Sequence, residues 1–532
     1  MAALSLAGVG QGDLVGLMVT GDGPVAATAS GAEWAGQAAE VAVADEKVRP
    51  RWTVWSQETA RTLTGQGIRL TMCWDVAAVH RLLFGGWRAD PQYAWACLHG
   101  RSPDQVPPAG AAPDLFSAAD DAPDGPPLGA AAALEAAGLQ LATLTEQGGG
   151  SRISTARCES TAELLCAELS ADGLPVDRAA AERLLAEITG PRPHGPADAA
   201  AIRAARDARV LRHAPAGVAS DLRSPVQVKA LLAAAGIDVP DTRAGRLERF
   251  RESSPLVAAL LDWRKAERIA TTYGYSWLDE HLGADGRLRG AWTGSDGAAG
   301  RMTASSGLHN MPAVLRQAVL AEDGHVFVRA DLGQIEPRVL AAVSGDGALA
   351  AATAADDMYL PVAAELGVDR PTAKVAMIAA MYGQTTGHGG MAARRMRAAY
   401  PVAMGYLDGA DQSARAGRDL RTYGGRLLRM SGGGNEAARG RYGRNAVVQG
   451  AAAELFKMWA VTVRARSAPL GARIVLCLHD ELLLHVPAGR AEEVAGLVGG
   501  CLAEASRRWA PGGRVRFIAD ISVAGSWAEA KG

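Results

Sequence analysis

Residues 326–346, VFVRADLGQIEPRVLAAVSGD, place an aspartate where a strand passes into a helix. The β-branched and aromatic run Val326–Val328 predicts a short buried strand that ends at Asp331. From Gln334 onward, apolar residues recur at the spacing of one helix face. A carboxylate at this junction is held rigidly at the open end of a sheet, which suits a metal ligand. The alternative is an aspartate that only caps the helix.

A second acidic position, far along the chain, favours the metal site. Ile474–Val486, IVLCLHDELLLHV, has two apolar runs around His479, Asp480 and Glu481, which predicts a hairpin with carboxylates at its tip. A purely structural hairpin would more naturally turn through Asn-Gly or Asp-Gly. Two carboxylates on adjacent strands can bind a pair of Mg²⁺ ions about 3.5–4 Å apart, the arrangement that serves phosphoryl transfer.

A helix that begins at Arg370 supplies candidate ligands for a triphosphate. Asp369 can cap it, and Pro371 is tolerated in the first turn. One face of this helix carries two cations, then an apolar and an aromatic residue: Arg370, Lys374, Ile378 and Tyr382. The cations are placed to hold phosphates and the other half of the face a base or sugar. For Lys374, a solvated helix lysine is the alternative reading.

Length and charge limit the function classes. The chain has 532 residues, so two or more domains are expected. Its 55 Lys and Arg against 57 Asp and Glu give a net charge of −2, so any nucleic-acid surface must be local. One candidate is an arginine-rich region, whose alternative is an ordinary exposed surface: Arg418, Arg421, Arg426, Arg429, Arg439, Arg441 and Arg444.

The cellular setting follows from the cysteines and the apolar stretches. The six cysteines show neither a zinc-binding spacing nor the density of a disulfide scaffold, which indicates a reduced, cytoplasmic protein. The N-terminus lacks the basic start of a signal peptide, and no apolar run reaches the ~18 residues of a membrane span. We therefore expect no membrane partner.

Three stretches, in this order, resemble the polymerase motifs of family A DNA polymerases, the bacterial DNA polymerase I type: DLGQIEPRVLAAVSGD, RPTAKVAMIAAMYG and LHDE. The segments GRMTASSGLHNMP at 300–312, RYGRNAVVQGAAAELFK at 441–457 and SWAEAK at 526–531 are also similar to family segments. The resemblance covers roughly Ser224 to the C-terminus and is to the large fragment, without a 5′ nuclease domain. It implies an α/β multidomain fold in which a right-hand palm, fingers and thumb follow a degenerate exonuclease-like (RNase H-like) α/β domain.

The implied organisation has two parts. Residues 1–150 would form the exonuclease-like domain, with a flexible Pro-, Ala-, Asp- and Gly-rich loop at 102–129. Residues 151–532 would form the polymerase domain, with the thumb at about 151–290, the palm at about 291–350 and 420–532, and the fingers at about 351–419. The first strand, LVGLMVTGDG, has no Asp-x-Glu, and no Tyr-x-x-x-Asp follows. Because Asp75 alone cannot hold two metal ions, we expect no proofreading.

The resemblance also implies residue roles. Asp331 and Asp480 would bind two Mg²⁺ ions, with Mn²⁺ as an alternative, assisted by the Leu332 carbonyl and more indirectly by Glu481. Arg370 and the catalytic Lys374 would hold the incoming triphosphate, and the other nucleotide-binding residues would be Gln334, Glu336, Tyr359, Ile378 and Tyr382. Glu336 would crowd the 2′ position of the sugar and so favour deoxynucleotides. Contacts to primer-template DNA are implied for Arg301, Asn310, Arg426, Arg441, Asn445, Gln449 and His479.

Three positions depart from the family pattern: Ile378 stands where Phe or Tyr is common, Tyr359 stands where His is common, and Pro337 follows Glu336 at the start of the helix. The first two leave nucleotide selection open. The favoured function is a monomeric, template-directed DNA polymerase that uses dNTPs, in replication or repair. A single-subunit RNA polymerase is an alternative that Glu336 disfavours, and a nucleic-acid-binding homologue with little catalysis is another.

Overall fold

The structure is a computed structural model that describes residues 6–102, 106, 128–383, 394–431 and 435–531. The predicted loop 102–129 lies almost wholly outside the described residues, as do residues 384–393 of the predicted fingers.

The strands fall into two main sheets and several two-stranded pairs. In chain order they are β1 (Leu14–Thr20), β2 (Gly23–Ala27), β3 (Glu33–Ala35), β4 (Arg51–Val54), β5 (Cys73–Asp75), β6 (Leu174–Pro175), β7 (Arg287–Leu288), β8 (Trp292–Thr293), β9 (Thr303–Ala304), β10 (His325–Leu332), β11 (Leu420–Arg421), β12 (Leu427–Leu428), β13 (Arg473–Cys477), β14 (Glu481–Pro487) and β15 (Ala519–Ala524).

The described helices surround these sheets. They are α1 (Ala38–Val48), α2 (Gln57–Gly65), α3 (Val76–Phe84), α4 (Pro91–Leu98), α5 (Ala130–Gly148), α6 (Gly150–Asp172), α7 (Arg178–Thr189), α8 (Pro196–Leu211), α9 (Pro225–Ala234), α10 (Ala244–Leu247), α11 (Pro255–Thr272), α12 (Tyr275–His281), α13 (Ile335–Ser344), α14 (Gly347–Ala352), α15 (Tyr359–Leu366), α16 (Arg370–Met381), α17 (Pro401–Arg415), α18 (Glu436–Ser467) and α19 (Ala491–Trp509). None of them is both long and apolar enough to cross a bilayer.

The N-terminal sheet has the strand order β3-β2-β1-β4-β5. Strands β1, β4 and β5 run parallel, and β2 and β3 extend the sheet as antiparallel strands. Helix α5 crosses β1 very closely, because a Cβ on Gly16 would lie 2.1 Å from the carbonyl oxygen of Ala130. Only glycine fits at this crossing without a backbone shift.

The palm sheet has the order β13-β14-β10-β15, and its neighbours are antiparallel. The predicted strand before Asp331 is therefore confirmed, although it runs from His325 to Leu332 and contains the aspartate. The predicted hairpin is confirmed as β13 and β14. In this register Asp331 stands directly opposite Glu481 on one side and Asp520 on the other.

Helix α18, with 32 residues, connects the parts of the molecule. It packs against α17, α19, α13 and α6. Small residues let its neighbours approach, since a Cβ on Gly443 would lie 2.4 Å from the Ala414 Cβ and one on Gly450 would lie 2.4 Å from the Thr422 side chain. Helix α6 in turn contacts α2, α3 and β5 of the N-terminal domain. The palm and the N-terminal sheet thus share one helical support.

Helices α8 to α11 enclose a separate small hydrophobic core that includes Val210, Leu231 and Leu260. Ser224 begins α9 and Ser254 begins α11, each accepting a hydrogen bond from the amide three residues further on. These are the capping positions that a serine before a proline predicts.

Candidate active site

The two predicted metal ligands lie at neighbouring ends of the palm sheet. Asp331 is the second-last residue of strand β10. Asp480 lies in the turn that joins β13 to β14. The Leu332 amide donates a hydrogen bond to the Asp480 carbonyl oxygen at 2.8 Å, which fixes the turn against the end of β10. Both aspartates are therefore held by sheet hydrogen bonds rather than by a mobile loop.

The electrostatics of this pair fit a divalent cation. Burial, followed by the charge of Asp480, raises the pKa of Asp331 to about 6. Burial, followed by the charge of Glu481, also raises the pKa of Asp480. Among the described residues no cation forms an ion pair with Asp480. Crowded carboxylates with rigid backbones are a donor set that suits Mg²⁺ or Mn²⁺, which prefer oxygen ligands.

Glu481 differs from the two aspartates, because three neighbours already hold its carboxylate. Trp527 Nε1 donates to Oε1 at 2.6 Å, and Lys531 Nζ and Arg329 Nη2 lie 2.8 Å and 3.2 Å from Oε2. Burial alone would raise the pKa of Glu481, but these hydrogen bonds lower it. The side chain therefore anchors the C-terminal segment beneath the site, in keeping with the indirect role expected for it.

Arg329, Trp527 and Lys531 were not among the predicted site residues. Arg329 also contacts the Asp331 carboxylate and is 5% exposed. One signal for it was available, since a charged residue inside the apolar run VFVRADL must find a buried partner. The contacts of Trp527 and Lys531 had no local signal, because they depend on tertiary packing.

The face that the sequence predicts to bind phosphates is exposed on helix α16. Asp369 caps the helix by accepting a hydrogen bond from the Thr372 amide at 2.9 Å. Ala373, Ala376, Met377 and Ala380 bury the opposite face. The four predicted residues are all exposed: Arg370, Lys374, Ile378 and, directly after the helix, Tyr382. Ile378 and Tyr382, at 36% and 39% exposed, are large apolar side chains with open faces, as a stacking surface requires.

Gln334 and Tyr359 are two further residues that the sequence predicts to bind the nucleotide. Gln334 has a left-handed backbone, with φ 51°, at the start of α13. Its amide oxygen accepts hydrogen bonds from the Met358 amide and from Arg338 Nη2, both at 3.2 Å. Tyr359 is only 6% exposed, and the Arg370 guanidinium lies 5.7 Å from its ring centre. Tyr359 thus lies beside the start of α16, and Gln334 holds the residue that precedes Tyr359.

The primer-side candidates also meet at the palm. Arg301 Nη2 lies 3.0 Å from Glu336 Oε1, so the predicted sugar-discriminating carboxylate is held by a cation. The rings of His309 and His479 stack with centres 5.4 Å apart. Asn310, which follows His309, is exposed. The segment 300–312 is therefore brought against the hairpin tip that carries Asp480.

The predicted polar stripe of α18 faces the end of the fingers helix. Arg441 is exposed, and Asn445 and Gln449 are half-buried. Gln449 Nε2 donates to the Tyr382 hydroxyl at 3.3 Å. The Asn445 side-chain oxygen is buried and has no partner among the described residues. An amide placed this way suits hydrogen bonding to a ligand in the cleft.

The structure contradicts the expectation that Arg426 contacts DNA. Arg426 is 2% exposed, and its guanidinium pairs with the buried Glu159 of α6, which also lies 2.5 Å from Lys457 Nζ. Arg444 of the same arginine-rich region is buried as well and pairs with Asp408 at 2.6 Å. These side chains pair with carboxylates of the protein itself, a role that sequence spacing could not distinguish from an exposed phosphate-binding patch.

Comparisons with known proteins agree with this geometry. The sequence profile described as DNA polymerase family A matches residues 207–529. The thermostable DNA polymerase I of Thermus filiformis is 30% identical over 324 residues, 54% of this chain and 38% of that protein. DNA polymerase I of Chloroflexus aurantiacus is 31% identical over 286 residues, 47% of this chain and 30% of that protein. The matched part thus spans well under half of these curated relatives.

The fold is similar over almost its whole length to a solved structure. The POL domain of Pol1 from M. smegmatis, solved in complex with DNA primer-template and dNTP, matches 99% of this chain and 98% of its own, with a TM-score of 0.73 and 22% identity. The molecule is therefore a multidomain protein with the fold of a right-hand polymerase. Since the family profile matches more than half of the sequence, the chain belongs to DNA polymerase family A.

Proposed function

We propose that the protein is a template-directed DNA polymerase that adds deoxynucleotides to a primer 3′ end by two-metal phosphoryl transfer. The observation that supports this best is the position of Asp331 and Asp480 at one end of the palm sheet. Family membership supports the same reaction class. Primer-template DNA and dNTPs are the substrates proposed.

The residues divide the work as follows. Asp331 and Asp480 would hold two Mg²⁺ ions, which activate the primer hydroxyl and stabilise the leaving pyrophosphate. Arg370 and Lys374 bind the triphosphate of the incoming nucleotide. Glu336, oriented by Arg301, excludes a ribose 2′ hydroxyl from the sugar pocket.

Tyr382 and Gln449 form the far wall of the nucleotide site, because their hydrogen bond joins the end of α16 to α18. Ile378 offers an aliphatic surface where a ring would stack on a base, so contact with the incoming base relies more on Tyr382. Movement of α16 toward the palm would then bring the phosphate ligands to the metal site.

The test is extension of a 5′-labelled primer on a DNA template with Mg²⁺, comparing dNTPs, NTPs and no nucleotide. We expect extension with dNTPs alone and its loss in Asp480→Asn. Asp520→Asn is the matched control, because Asp520 lies opposite Asp331 in the sheet but its side chain is 82% exposed. Extension with NTPs would favour an RNA polymerase, and binding of primer-template without any extension would favour a non-catalytic homologue.

We further propose that the N-terminal domain does not proofread. Its first strand carries Gly16 against the Ala130 carbonyl, and Asp75 is a buried helix cap. The reaction without nucleotides tests this proposal, since the primer should keep its length. Shortening that persists in Asp480→Asn would contradict it.

A further inference from the structure

A second group of potential metal ligands lies at the opposite end of the palm sheet from the aspartates. His325 begins strand β10, His485 lies near the end of β14, and Glu322 precedes β10. Asp331 lies six positions after His325 along β10, which corresponds to about 20 Å of extended chain. This group therefore cannot take part in the chemistry proposed for Asp331 and Asp480.

The three side chains converge. One ligand atom from each of Glu322, His325 and His485 lies within 4.8 Å of the others. The two imidazole rings are nearly parallel, with centres 4.3 Å apart and planes inclined by 13°. His485 Nε2 accepts a hydrogen bond from the Glu322 amide at 3.3 Å and lies 3.8 Å from Glu322 Oε2. Two adjacent strands and the preceding turn thus bring together two nitrogen donors and one oxygen donor.

The surroundings hold two of these donors in place. His485 is 5% exposed, and a metal ion at its Nε2 would replace the long hydrogen bond from the Glu322 amide. Arg287 Nε and Nη2 each lie 2.8 Å from one oxygen of Glu322 and orient the carboxylate. An ionised carboxylate retains further lone pairs after two such bonds.

We propose that Glu322, His325 and His485 bind a Zn²⁺ ion. Two histidines and one carboxylate form a known donor set for zinc, in which water supplies the fourth ligand and the site stays open. Tetrahedral zinc with bonds of about 2.0–2.1 Å requires ligand atoms about 3.4 Å apart. Glu322 is exposed and His325 half-buried, so both can rotate to close the remaining distance around the fixed His485.

The ion would connect the start of β10 to the end of β14. Asp331 and Asp480 lie at the opposite end of these two strands. Binding of a ligand to the folded state alone stabilises that state. We therefore expect Zn²⁺ to raise the thermal unfolding temperature of the whole chain without changing the rate of primer extension.

The test is titration of the metal-free full chain with Co²⁺, which reports tetrahedral coordination by visible absorption, followed by displacement with Zn²⁺ under calorimetry. Excess Mg²⁺ occupies the carboxylates at the other end of the sheet. We expect one Co²⁺ per chain with tetrahedral absorption, and at least tenfold weaker binding of Zn²⁺ in His325→Ala and in Glu322→Gln. These two residues are accessible, so the variants should fold even if a change at the buried His485 does not.

His281→Ala is the matched control, because His281 lies 3.9 Å from the carboxylate of Glu280 but belongs to no such group of three ligands in the part of the chain that the structure describes. Its affinity for Zn²⁺ should equal that of the wild type. Asp480→Asn should also bind Zn²⁺ normally, so this proposal can fail or hold independently of the polymerase activity. Absence of tetrahedral Co²⁺, or equal affinity in all four variants, would overturn it.

Discussion

Asp331 in the palm and Asp75 in the N-terminal domain occupy similar places but have different environments. Each lies at the end of a strand in a mainly buried sheet, just before a helix. The Asp331 side chain is 30% exposed and stands next to Asp480, whereas the whole of Asp75 is 1% exposed. Asp75 caps α3 by accepting a hydrogen bond from the Ala78 amide at 2.8 Å. A strand-end aspartate thus suits a metal ion only where solvent and a second free carboxylate reach it.

The neighbours of Asp75 reinforce this difference. Burial, followed by the charge of Glu163, raises the pKa of Asp75 to about 8. Glu163 itself pairs with Arg81 at 3.2 Å and accepts a hydrogen bond from the Gly294 amide at 3.1 Å. The second carboxylate near Asp75 therefore holds the N-terminal domain against the palm and is not free to share a metal ion.

The largest contrast between the two aspartates should be catalytic. Asp480→Asn removes one carboxylate of the pair and should lower the rate of primer extension by about 10³-fold or more, since a bound metal contributes several kcal/mol to such a transition state. Asp75→Asn should leave the rate unchanged. Single-turnover extension with saturating dNTP measures both. An equal loss in the two variants would remove the distinction drawn between the two sheets.

The close crossing of α5 over β1 gives the next effect. Gly16→Ala places a methyl group against the Ala130 carbonyl and should lower the free energy of unfolding by about 1–3 kcal/mol, the range for overpacking. Gly138→Ala in the same helix α5 is the control, because a Cβ there meets no atom within 4 Å. It should be neutral or stabilising, since alanine favours a helix. Urea unfolding followed by circular dichroism distinguishes them.

Asp75 should also give the protein a specific pH dependence. Its folded pKa, about 8, is above the usual value of 3.8, so between these values the folded state retains a proton that the unfolded state has lost. The contribution of Asp75 to the free energy of unfolding is therefore fully present below pH 3.8 and is lost as the pH rises to about 8.

Asp75→Asn keeps the helix cap but does not titrate. Relative to the wild type, the variant should gain about 3 kcal/mol of unfolding free energy between pH 5 and pH 8, measured by urea titration at several pH values. An unchanged difference across this range would mean that Asp75 is ionised in the folded protein.

The smallest effect comes from Asp331, whose pKa is raised in the same direction as that of Asp75. Its folded pKa of about 6 lies above the usual 3.8, so its stabilising contribution is lost as the pH rises from about 4 to 6. In the presence of a chelator, Asp331→Asn should be more stable than the wild type by about 1 kcal/mol at pH 7 and equal to it near pH 4. Thermal unfolding scans test this, and added Mg²⁺ should narrow the difference at pH 7.

Local patterns in the sequence were sufficient for the elements that hold the site. The apolar strands, the hairpin around Asp480 and the caps Ser224 and Asp369 follow from periodicity and from short-range hydrogen bonds, and all are present. Arg426 is a residue whose environment could not be predicted from local sequence patterns. Its partner Glu159 lies 267 residues away, so no local pattern could show that the guanidinium is buried. The clamp on Glu481 by Arg329, Trp527 and Lys531 depends on similarly distant contacts.

Helix α18 acts as a spacer between two parts of the molecule. At about 1.5 Å per residue its 32 residues extend for about 48 Å. Near its middle, Gln449 donates a hydrogen bond to Tyr382 at the end of α16, and near its C-terminal end Arg464 donates a hydrogen bond to the Leu70 carbonyl oxygen of the N-terminal domain at 2.7 Å. One continuous helix thus fixes the spacing between these two contacts. Loss of the N-terminal domain would remove a support from the helix that carries Asn445 and Gln449.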